Sequence, residues 1–449
     1  MPGRIKWQCS VCGFIAESEA PPERCPICDA PWTAFQKMPE PLVKRLAGIP
    51  IAEKRPARTK YVIIGNSSAG RSAAAVIRQV DRNGVITVLS EESTRFYYRP
   101  ILPDYIGGME EEKVFATTGG AISDKDLAIK LNKRVVRVKP DQNRLMCEDG
   151  EVVDYDYLLL ATGSIPIAIP WPGSDAEGVF YFRTFEDAKR ILRMAENAER
   201  AVVVGGGLLG LEFIRGVRLR GLAVTHLVRE NRVGVPALDD AAGAMVERRL
   251  RADGVEVILE DEVASFESAD GKIEAVLTKS GRRIECDLVG VAVGVRPRIE
   301  LAEDTGIQTD RGFLVDERMR TNVLNIFAAG DCAQAFDVVA ETPRVNTSWR
   351  TAREQGEAAG FNMVGADFVY PGSLPANAQM AGGLPFASIG LANPEEERYD
   401  IESQSDVIAE TYRKMVRLEG NLVGALLLGD ISGSLELEDE IRLSNTPAR

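Results

Sequence analysis

The sequence contains very little histidine: His226 is the only one among 449 residues. A metal site built from several histidines is therefore excluded, and a histidine-based catalytic triad would depend on His226 alone. His226 lies in an alternating apolar segment at residues 223–228, and we predict that it is a packed strand residue. We therefore expect the chemistry to come from a bound cofactor or a thiolate-held metal, and we assign no catalytic acid or base.

Long apolar runs are also missing from the sequence. No run approaches the roughly 20 residues that a membrane-spanning helix needs. The first six residues lack the apolar segment of a signal peptide, so we expect a cytoplasmic protein without a membrane partner. The formal net charge of −13 argues against a nucleic-acid partner, because a phosphate backbone attracts a basic surface.

The seven cysteines form two groups. Four of them, Cys9, Cys12, Cys25 and Cys28, have the spacing C-x2-C-x12-C-x2-C. Two C-x-x-C turns brought together place four thiolates around one tetrahedral ion, either zinc or iron. Two disulfides are the alternative, which the absence of a signal peptide disfavours. The remaining cysteines, at positions 147, 286 and 332, are expected to be buried small hydrophobic residues.

The segment around these four cysteines resembles a rubredoxin domain of the short kind found in rubrerythrins. The resemblance rests on Trp7 two places before Cys9, on Cys-x-x-Cys-Gly-Phe and on Cys-Pro-x-Cys-x-Ala-Pro. The resemblance implies one iron that carries one electron. Short zinc ribbons share this cysteine spacing, so a structural zinc is the alternative. The aromatic residues expected to form the small core of this domain are Trp7, Phe14, Trp32 and Phe35.

A strand–turn–helix–strand pattern begins at Lys60. An apolar strand at 61–64 precedes the glycine-containing turn 65–70, an alanine-rich helix is predicted at 71–80, and a second strand at 85–89 precedes Glu91. In such a unit the turn and the helix N-terminus bind a pyrophosphate, and an acid after the second strand binds a ribose. Ser67 replaces the middle glycine of G-x-G-x-x-G, so this unit alone is a moderate signal.

The same pattern recurs in the middle of the chain. A strand at 200–204 leads into a complete G-x-G-x-x-G at residues 205–210, followed by a predicted helix at 211–220 and a strand at 224–228. Two such units in strand–turn–helix context are much more specific than one. The sequence therefore predicts two bound dinucleotides.

From Lys60 to about Ser434 the chain resembles the two-dinucleotide flavoproteins, in particular NAD(P)H–rubredoxin oxidoreductases and the flavin portion of NADH-dependent nitrite reductases. The resemblance rests on Ala-Thr-Gly-Ser-Ile-Pro at 161–166, Gly-Val-Arg-Pro at 294–297 and Ile-Phe-Ala-Ala-Gly-Asp at 326–331. It implies an α/β fold with two Rossmann-like dinucleotide-binding domains for FAD and NAD(P)H, a small C-terminal α/β domain and the N-terminal rubredoxin-like metal domain. The implied ranges are 1–38 (metal domain), 39–59 (linker), 60–170 (FAD domain, first part), 171–292 (NAD(P)H domain), 293–362 (FAD domain, second part) and 363–449 (C-terminal domain).

The resemblance also implies the residues of the cofactor sites. Those expected at FAD are Gly65, Ser68, Gly70, Glu91, Arg99, Pro100, Thr162, Gly163, Gly330 and Asp331. Those expected at NAD(P)H are Gly205, Gly207, Gly210, Glu212, Arg229 and Gly294. Arg99 and Glu212 are the charged residues expected nearest the flavin and the nicotinamide. Arg229 could pair with the 2′-phosphate of NADPH, whereas Glu230 would repel that phosphate or bind a ribose. The choice between NADH and NADPH therefore stays open, and the resemblance favours NADH.

One absence narrows the implied reaction. Disulfide reductases of this superfamily carry redox cysteines beside the flavin, but no cysteine occurs between Cys28 and Cys147. The resemblance therefore implies an oxidoreductase that takes a hydride from NAD(P)H, passes single electrons to the fused iron centre and then to a redox protein, rubrerythrin-like or another carrier. The alternatives are a flavoenzyme whose zinc ribbon docks a partner, and an NAD(P)H oxidase that reduces O2. Homodimer formation is left open.

Overall fold

The computed structural model describes residues 5–9, 15–25, 30–37, 55–56, 58–116 and 124–445. Cys12, Cys28, Phe14 and most of the predicted linker at residues 39–59 lie outside these ranges. Among the described residues, no helix has the length and apolar character needed to cross a bilayer.

Two five-stranded parallel sheets form the centre of the fold. The first has the strand order Ile326–Ala328, Tyr157–Leu160, Lys60–Ile64, Val85–Leu89 and Ala128–Lys130. The second has the order Val179–Tyr181, Leu288–Val291, Arg200–Val204, Ala223–Leu227 and Val255–Ile258. Their central strands are almost continuously apolar because helices and small sheets cover both faces. The predicted α/β fold with two Rossmann-like units is confirmed.

Helices follow the first strand of each unit and begin earlier than the sequence predicts. The first runs over Ser68–Val80 instead of 71–80, and the equivalent helix of the second unit runs over Leu208–Leu219 instead of 211–220. The glycine turns are therefore shorter than expected, and each helix N-terminus lies immediately behind its turn. Within the described ranges, the other α-helices are Leu102–Ile106, Glu111–Ala116, Phe185–Ala195, Asp240–Ala252, Trp349–Met363 and Ser434–Asn445.

Smaller sheets connect and cover the two units. Three antiparallel or mixed three-stranded sheets comprise Val135–Lys139, Arg144–Cys147 and Val152–Asp154; Val263–Ala269, Lys272–Thr278 and Arg283–Glu285; and Phe313–Leu314, Ala333–Asp337 and Thr342–Val345. Ser164–Pro166 pairs with Val295–Pro297 where the chain crosses between the two units. The cysteines at positions 147, 286 and 332 are all buried, as predicted.

A C-terminal sheet of five antiparallel strands packs beside the second unit. Its order is Ala376–Ala381, Leu384–Gly390, Asn421–Leu428, Thr411–Leu418 and Asp400–Asp406. The Lys414 ammonium lies 3.0 Å from Asp239, and the Tyr412 hydroxyl donates to the same carboxylate at 2.7 Å. Asp239 also accepts from the backbone N–H of Ala242 at the start of a helix. This carboxylate therefore joins the C-terminal sheet to the second dinucleotide unit.

The N-terminal head, which we define as the described residues from 5 to 37, is a small antiparallel sheet. Its strands are Ile15–Ser18, Ile5–Cys9 and Phe35–Lys37, with Ile5–Cys9 in the centre. Phe35 is buried and Trp7 is partly buried, but Trp32 is 56% exposed. The expectation that Trp32 belongs to the core of the head is therefore wrong. The buried Ala30 and Ala34 on either side of it pack inward instead. The domain boundaries given above stay predictions.

Candidate functional site: a cavity between two dinucleotide units

The first glycine turn is shaped for close approach to another strand. Gly65 has a φ of +120°, which L-residues with a side chain rarely adopt. A Cβ atom at this position would collide with the carbonyl oxygen of Ala161, which follows the neighbouring strand Tyr157–Leu160. Gly205 repeats this arrangement against the carbonyl oxygen of Ala292. Both turns therefore require glycine for the same steric reason, although they share little sequence beyond the glycines.

A cavity of about 3220 Å³ lies against the first turn. The predicted FAD residues that line it are Gly65, Ser68, Glu91, Arg99, Pro100, Thr162, Gly163, Gly330 and Asp331. Gly70 lies behind the turn, where a Cβ atom would collide with the carbonyl oxygen of Gly65. The buried side-chain amide of Asn66 also lines the cavity and has no hydrogen-bond partner in the described part of the chain. A cavity of this size with unsatisfied polar atoms fits a large polar ligand such as FAD.

Charged side chains at one wall of the cavity form a connected network. The Arg99 guanidinium donates to the Glu92 carboxylate at 2.9 Å and to the carbonyl oxygen of Arg183 at 2.7 Å. The Tyr97 hydroxyl donates to the other oxygen of Glu92 at 2.7 Å. Burial alone would raise the pKa of Glu92, but the Arg99 charge and the two hydrogen bonds lower it below its ordinary value. Arg99, which the sequence reasoning placed near the flavin, is thus held in one orientation.

Asp331 is held by a residue that the sequence reasoning missed. Its carboxylate accepts from the Arg183 guanidinium at 2.6 Å and from the Ser164 hydroxyl at 2.7 Å. Burial lowers the pKa of Arg183, as does the nearby Arg99 charge, and the Asp331 charge partly restores it. Arg183 follows an edge strand of the second sheet, far from Asp331 in sequence, and no local motif marks it. Glu91 lies in the same wall and forms an ion pair with Arg298 at 2.6 Å.

The second glycine turn is supported by the single histidine. His226 is fully buried, and its Nε2 donates to the carbonyl oxygen of Gly205 at 2.9 Å. Burial lowers the pKa of His226 to about 4, although this hydrogen bond acts in the opposite direction. The imidazole is therefore neutral at physiological pH and holds the turn from behind, which confirms the expectation of a packed strand residue.

Glu212 is the predicted nicotinamide-side residue that also lines the large cavity. Its helix neighbour Arg215 donates to Asp104 at 2.8 Å instead. Within the described residues Glu212 forms no ion pair. Burial raises the pKa of Glu212 to about 7, partly offset by the Arg215 charge and reinforced by the Asp104 charge. This carboxyl group can therefore hold or release a proton near neutral pH.

The other predicted NAD(P)H residues lie away from the cavity, around the second turn. Gly205, Gly207 and Gly210 precede or begin the helix, and Gly294 has a φ of +116° at the crossover between the units. Arg229 is exposed and pairs with Glu230 at 2.9 Å. A Cβ atom on Gly206 would lie 3.4 Å from a carboxylate oxygen of Glu230. Glu230, rather than Arg229, is therefore the charged side chain that lies against the turn.

Two of the four predicted metal ligands lie within the described residues. Cys9 ends the central strand of the head and is 1% exposed, and Cys25 is 3% exposed. Cys25 closes a turn through its backbone N–H, which donates to the carbonyl oxygen of Ala30 at 2.8 Å. Cys12 and Cys28 lie outside the described ranges, and the described residues alone contain no group of three or more His, Cys, Asp or Glu side chains that could hold a metal. Two buried thiol-bearing residues, one at the end of a strand and one in a turn, fit a soft metal ion.

Two parallel-sheet units with glycine turns, a polar cavity and a cysteine-bearing head define a class of two-dinucleotide oxidoreductase fold. Comparison with known families agrees: residues 59–356 match the pyridine nucleotide-disulphide oxidoreductase family, and residues 7–36 match the rubredoxin-like domain of rubrerythrin. The chain belongs to the pyridine nucleotide-disulphide oxidoreductase family. This membership implies FAD and NAD(P)H as cofactors, and the second match indicates a metal site in the head.

Individual relatives support the same placement. The assimilatory nitrate reductase electron transfer subunit of Bacillus subtilis (strain 168) is 29% identical over 391 residues, which cover 86% of this chain and 49% of that one. Rubredoxin-NAD(+) reductase of Pseudomonas putida is 34% identical over 276 residues, which cover 61% of this chain and 72% of that one. The chain thus spans about half the length of the nitrate reductase subunit and of similar curated relatives.

A solved structure gives the corresponding likeness in three dimensions. The covalent putidaredoxin reductase–putidaredoxin complex superposes with a TM-score of 0.78 at 26% sequence identity. The match covers 87% of this chain and 94% of that chain.

Proposed function

We propose that this chain is an NAD(P)H-dependent FAD oxidoreductase that passes single electrons to a rubredoxin-type iron centre in its own head and on to a redox protein partner. One observation carries the proposal: Cys9 of the head lines the same cavity as the residues predicted to bind FAD. The family membership of the chain and its similarity to a rubredoxin-NAD(+) reductase support the same reaction. FAD supplies the step that a protein side chain cannot, because it accepts a pair of electrons and releases them singly.

The roles proposed for the cavity residues follow from their contacts. Asp331, oriented by Arg183 and Ser164, would accept hydrogen bonds from the ribityl chain. The helix N-terminus behind Gly65 would bind the pyrophosphate, and the unpartnered side-chain amide of Asn66 would form hydrogen bonds with the ligand. The sites proposed for FAD, NAD(P)H and the metal are otherwise those given by residue number above, with Cys9, Cys12, Cys25 and Cys28 as metal ligands.

We further propose NADH as the preferred donor. Glu230 lies three residues beyond the strand Ala223–Leu227, which follows the second glycine turn, and it pairs with Arg229. A carboxylate here accepts hydrogen bonds from a ribose 2′-hydroxyl and repels a 2′-phosphate. The neighbouring Arg229 is neutralised by the same carboxylate, so it offers less attraction to NADPH.

The metal content and the visible spectrum of anaerobically purified protein, followed by titration with NADH, test the proposal. We expect one iron per chain and a ferric tetrathiolate band that bleaches together with the flavin. Cys9→Ser is expected to abolish the band and transfer to a protein acceptor, whereas Cys147→Ser, a matched change of a buried cysteine outside the head, leaves both intact. Wild-type transfer by the Cys9→Ser protein would contradict the proposal.

Two other results would favour the alternatives. Zinc in protein made under iron-replete, anaerobic conditions would indicate a structural ribbon that docks a partner. Fast, sustained oxygen consumption without any protein acceptor would indicate an NAD(P)H oxidase.

A further inference from the structure

The described buried residues of the head do not form a hydrophobic cluster of their own. Its buried Cys9, Cys25, Ala30, Ala34 and Phe35 belong to one hydrophobic cluster with side chains of the C-terminal sheet. A domain of about 30 residues buries too little apolar surface to be stable without such support or a metal. The buried side chains of the head and of the C-terminal sheet are therefore continuous.

The face of the C-terminal sheet in this cluster is set by the alternation of side chains along its strands. In the strand Leu384–Gly390, Ala387 and Ile389 point to the cluster that contains the head, whereas Leu384 and Phe386 point to the second dinucleotide unit. The whole strand except its last residue is buried, so both of its faces are covered.

The neighbouring edge strand continues the same face. Ala376, Ala378 and Met380 pack on the cluster, and the registers Ala376–Ile389 and Ala378–Ala387 place these residues side by side. We define the docking face as Ala376, Ala378, Met380, Ala387 and Ile389. Three of its five members are alanines, which allow the backbone of a partner to approach closely.

The docking face is also part of the cavity wall. Ala376, Ala378, Ala387 and Ile389 line the cavity that holds the predicted FAD residues. From the head, the lining residues are Ile5, Lys6, Gln8, Cys9 and Lys37. The central strand of the head, which ends at a predicted metal ligand, therefore forms a wall of the flavin cavity.

The chain between the head and the body begins and ends at described residues. Residues 38–54 connect Lys37 to Arg55, and a stretch of this length spans at most about 60 Å when fully extended. Arg55 is held on the body, because its guanidinium donates to the carbonyl oxygen of Met363 at 3.0 Å and lies 4.2 Å from the ring centroid of Tyr157. A short tether gives its two ends an effective concentration in the millimolar range, so a modest docking interface suffices to keep them together.

We propose that the metal head docks on the docking face of its own chain, so that electrons pass from the flavin to the metal within one molecule. This inference rests on the proposed function for its redox step and on the cluster and cavity contacts for its geometry. In the balanced reaction, one NAD(P)H and two iron(III) heads give NAD(P)+, one proton and two iron(II) heads. A single head therefore accepts one electron, returns to iron(III) by reducing the external partner, and accepts the second.

Hydrogen–deuterium exchange of the full chain tests the docking without relying on turnover. In the native protein we expect slow exchange in the peptides that contain residues 5–9 and 384–390. Ala378→Glu places a carboxylate in the apolar docking face, and we expect at least tenfold faster exchange in residues 5–9. Ser403→Glu, on the fully exposed strand Asp400–Asp406 at the other edge of the same sheet, is the matched control and should change neither peptide. Equal exchange of residues 5–9 in all three proteins would overturn the proposal.

A second measurement uses the unchanged protein and does not depend on the folding of a variant. After rapid mixing with excess NADH, the bleaching rate of the metal band is followed over a hundredfold range of protein concentration. Docking within one chain predicts a first-order rate that does not change with concentration, whereas a rate proportional to concentration means transfer between chains and overturns the proposal. A protein that shows no metal band, yet retains the exchange protection that Ala378→Glu removes, would refute the proposed function and keep the docking.

Discussion

Truncation of Arg183 is expected to weaken FAD binding, because this guanidinium orients Asp331 in the wall of the cavity. Arg183 Nη2 lies 2.6 Å from the Asp331 carboxylate and 2.7 Å from the Ser164 hydroxyl. The two charged side chains are 23% and 13% exposed, so the pair is largely shielded from solvent. Losing one partner of a hydrogen bond to a charged group in such a place costs about 1.5–3 kcal/mol.

If Asp331 binds the ribityl chain in the orientation that Arg183 imposes, Arg183→Ala should weaken FAD binding by a similar free energy, or about tenfold to a hundredfold. The assay is a dilution series of the holoprotein in which released FAD is measured by its fluorescence. Arg183→Lys keeps the charge but not the planar fork, and should recover only part of the affinity.

The matched control is Arg283→Ala. Arg283 pairs with Glu267 at 2.7 Å, but both side chains are more than 40% exposed and the pair lies outside the cavity. Exposed pairs contribute about 0–1 kcal/mol, so FAD affinity should not change. If Arg183→Ala retains FAD within twofold of the unchanged protein, the assigned role of Arg183 is refuted.

Three further predictions concern titratable and charged groups. Burial lowers the pKa of His226 to about 4, so the folded protein should become less stable as the pH falls from about 6.5 towards 4, where only the unfolded chain is protonated. NMR titration of the single imidazole measures this pKa, and a titration midpoint near 6.5 would contradict the prediction. Burial raises the pKa of Glu212 to about 7, so the folded chain binds a proton that the unfolded chain has lost, and stability should fall as the pH rises from about 4.5 to 7. Glu212→Gln should flatten the plot of thermal midpoint against pH, and an unchanged slope would show that Glu212 does not cause this pH dependence. Glu230→Ala should raise the KM for NADH and lower the KM for NADPH, whereas Arg229→Ala should lower neither KM. If Glu230→Ala leaves the ratio of kcat/KM for NADH to kcat/KM for NADPH unchanged, the proposed preference for NADH is refuted.

The two dinucleotide units could be predicted from the sequence because their signals are local. The residues that specify a glycine turn between an apolar strand and a helix are adjacent in sequence. Because Gly65 and Gly205 are sterically required, the motif can be recognised from the sequence. The predicted boundaries of the helices were less accurate. The N-cap residue Ser67 makes no side-chain capping hydrogen bond and the N-cap Gly207 has no side chain, so contacts of the turns with neighbouring strands fix where the helices begin.

The sequence by itself determined which chemistry is available: four cysteines in two C-x-x-C turns, two nucleotide-binding units and a single histidine in a predicted strand. Only the tertiary structure decided which of these groups lie together. Arg183 reaches Asp331 across 148 positions of sequence, and Cys9 lines a cavity whose other walls come from distant strands. Such pairings depend on how sheets pack and cross, which no local pattern records, and the same packing exposes Trp32 although its apolar surface predicts burial.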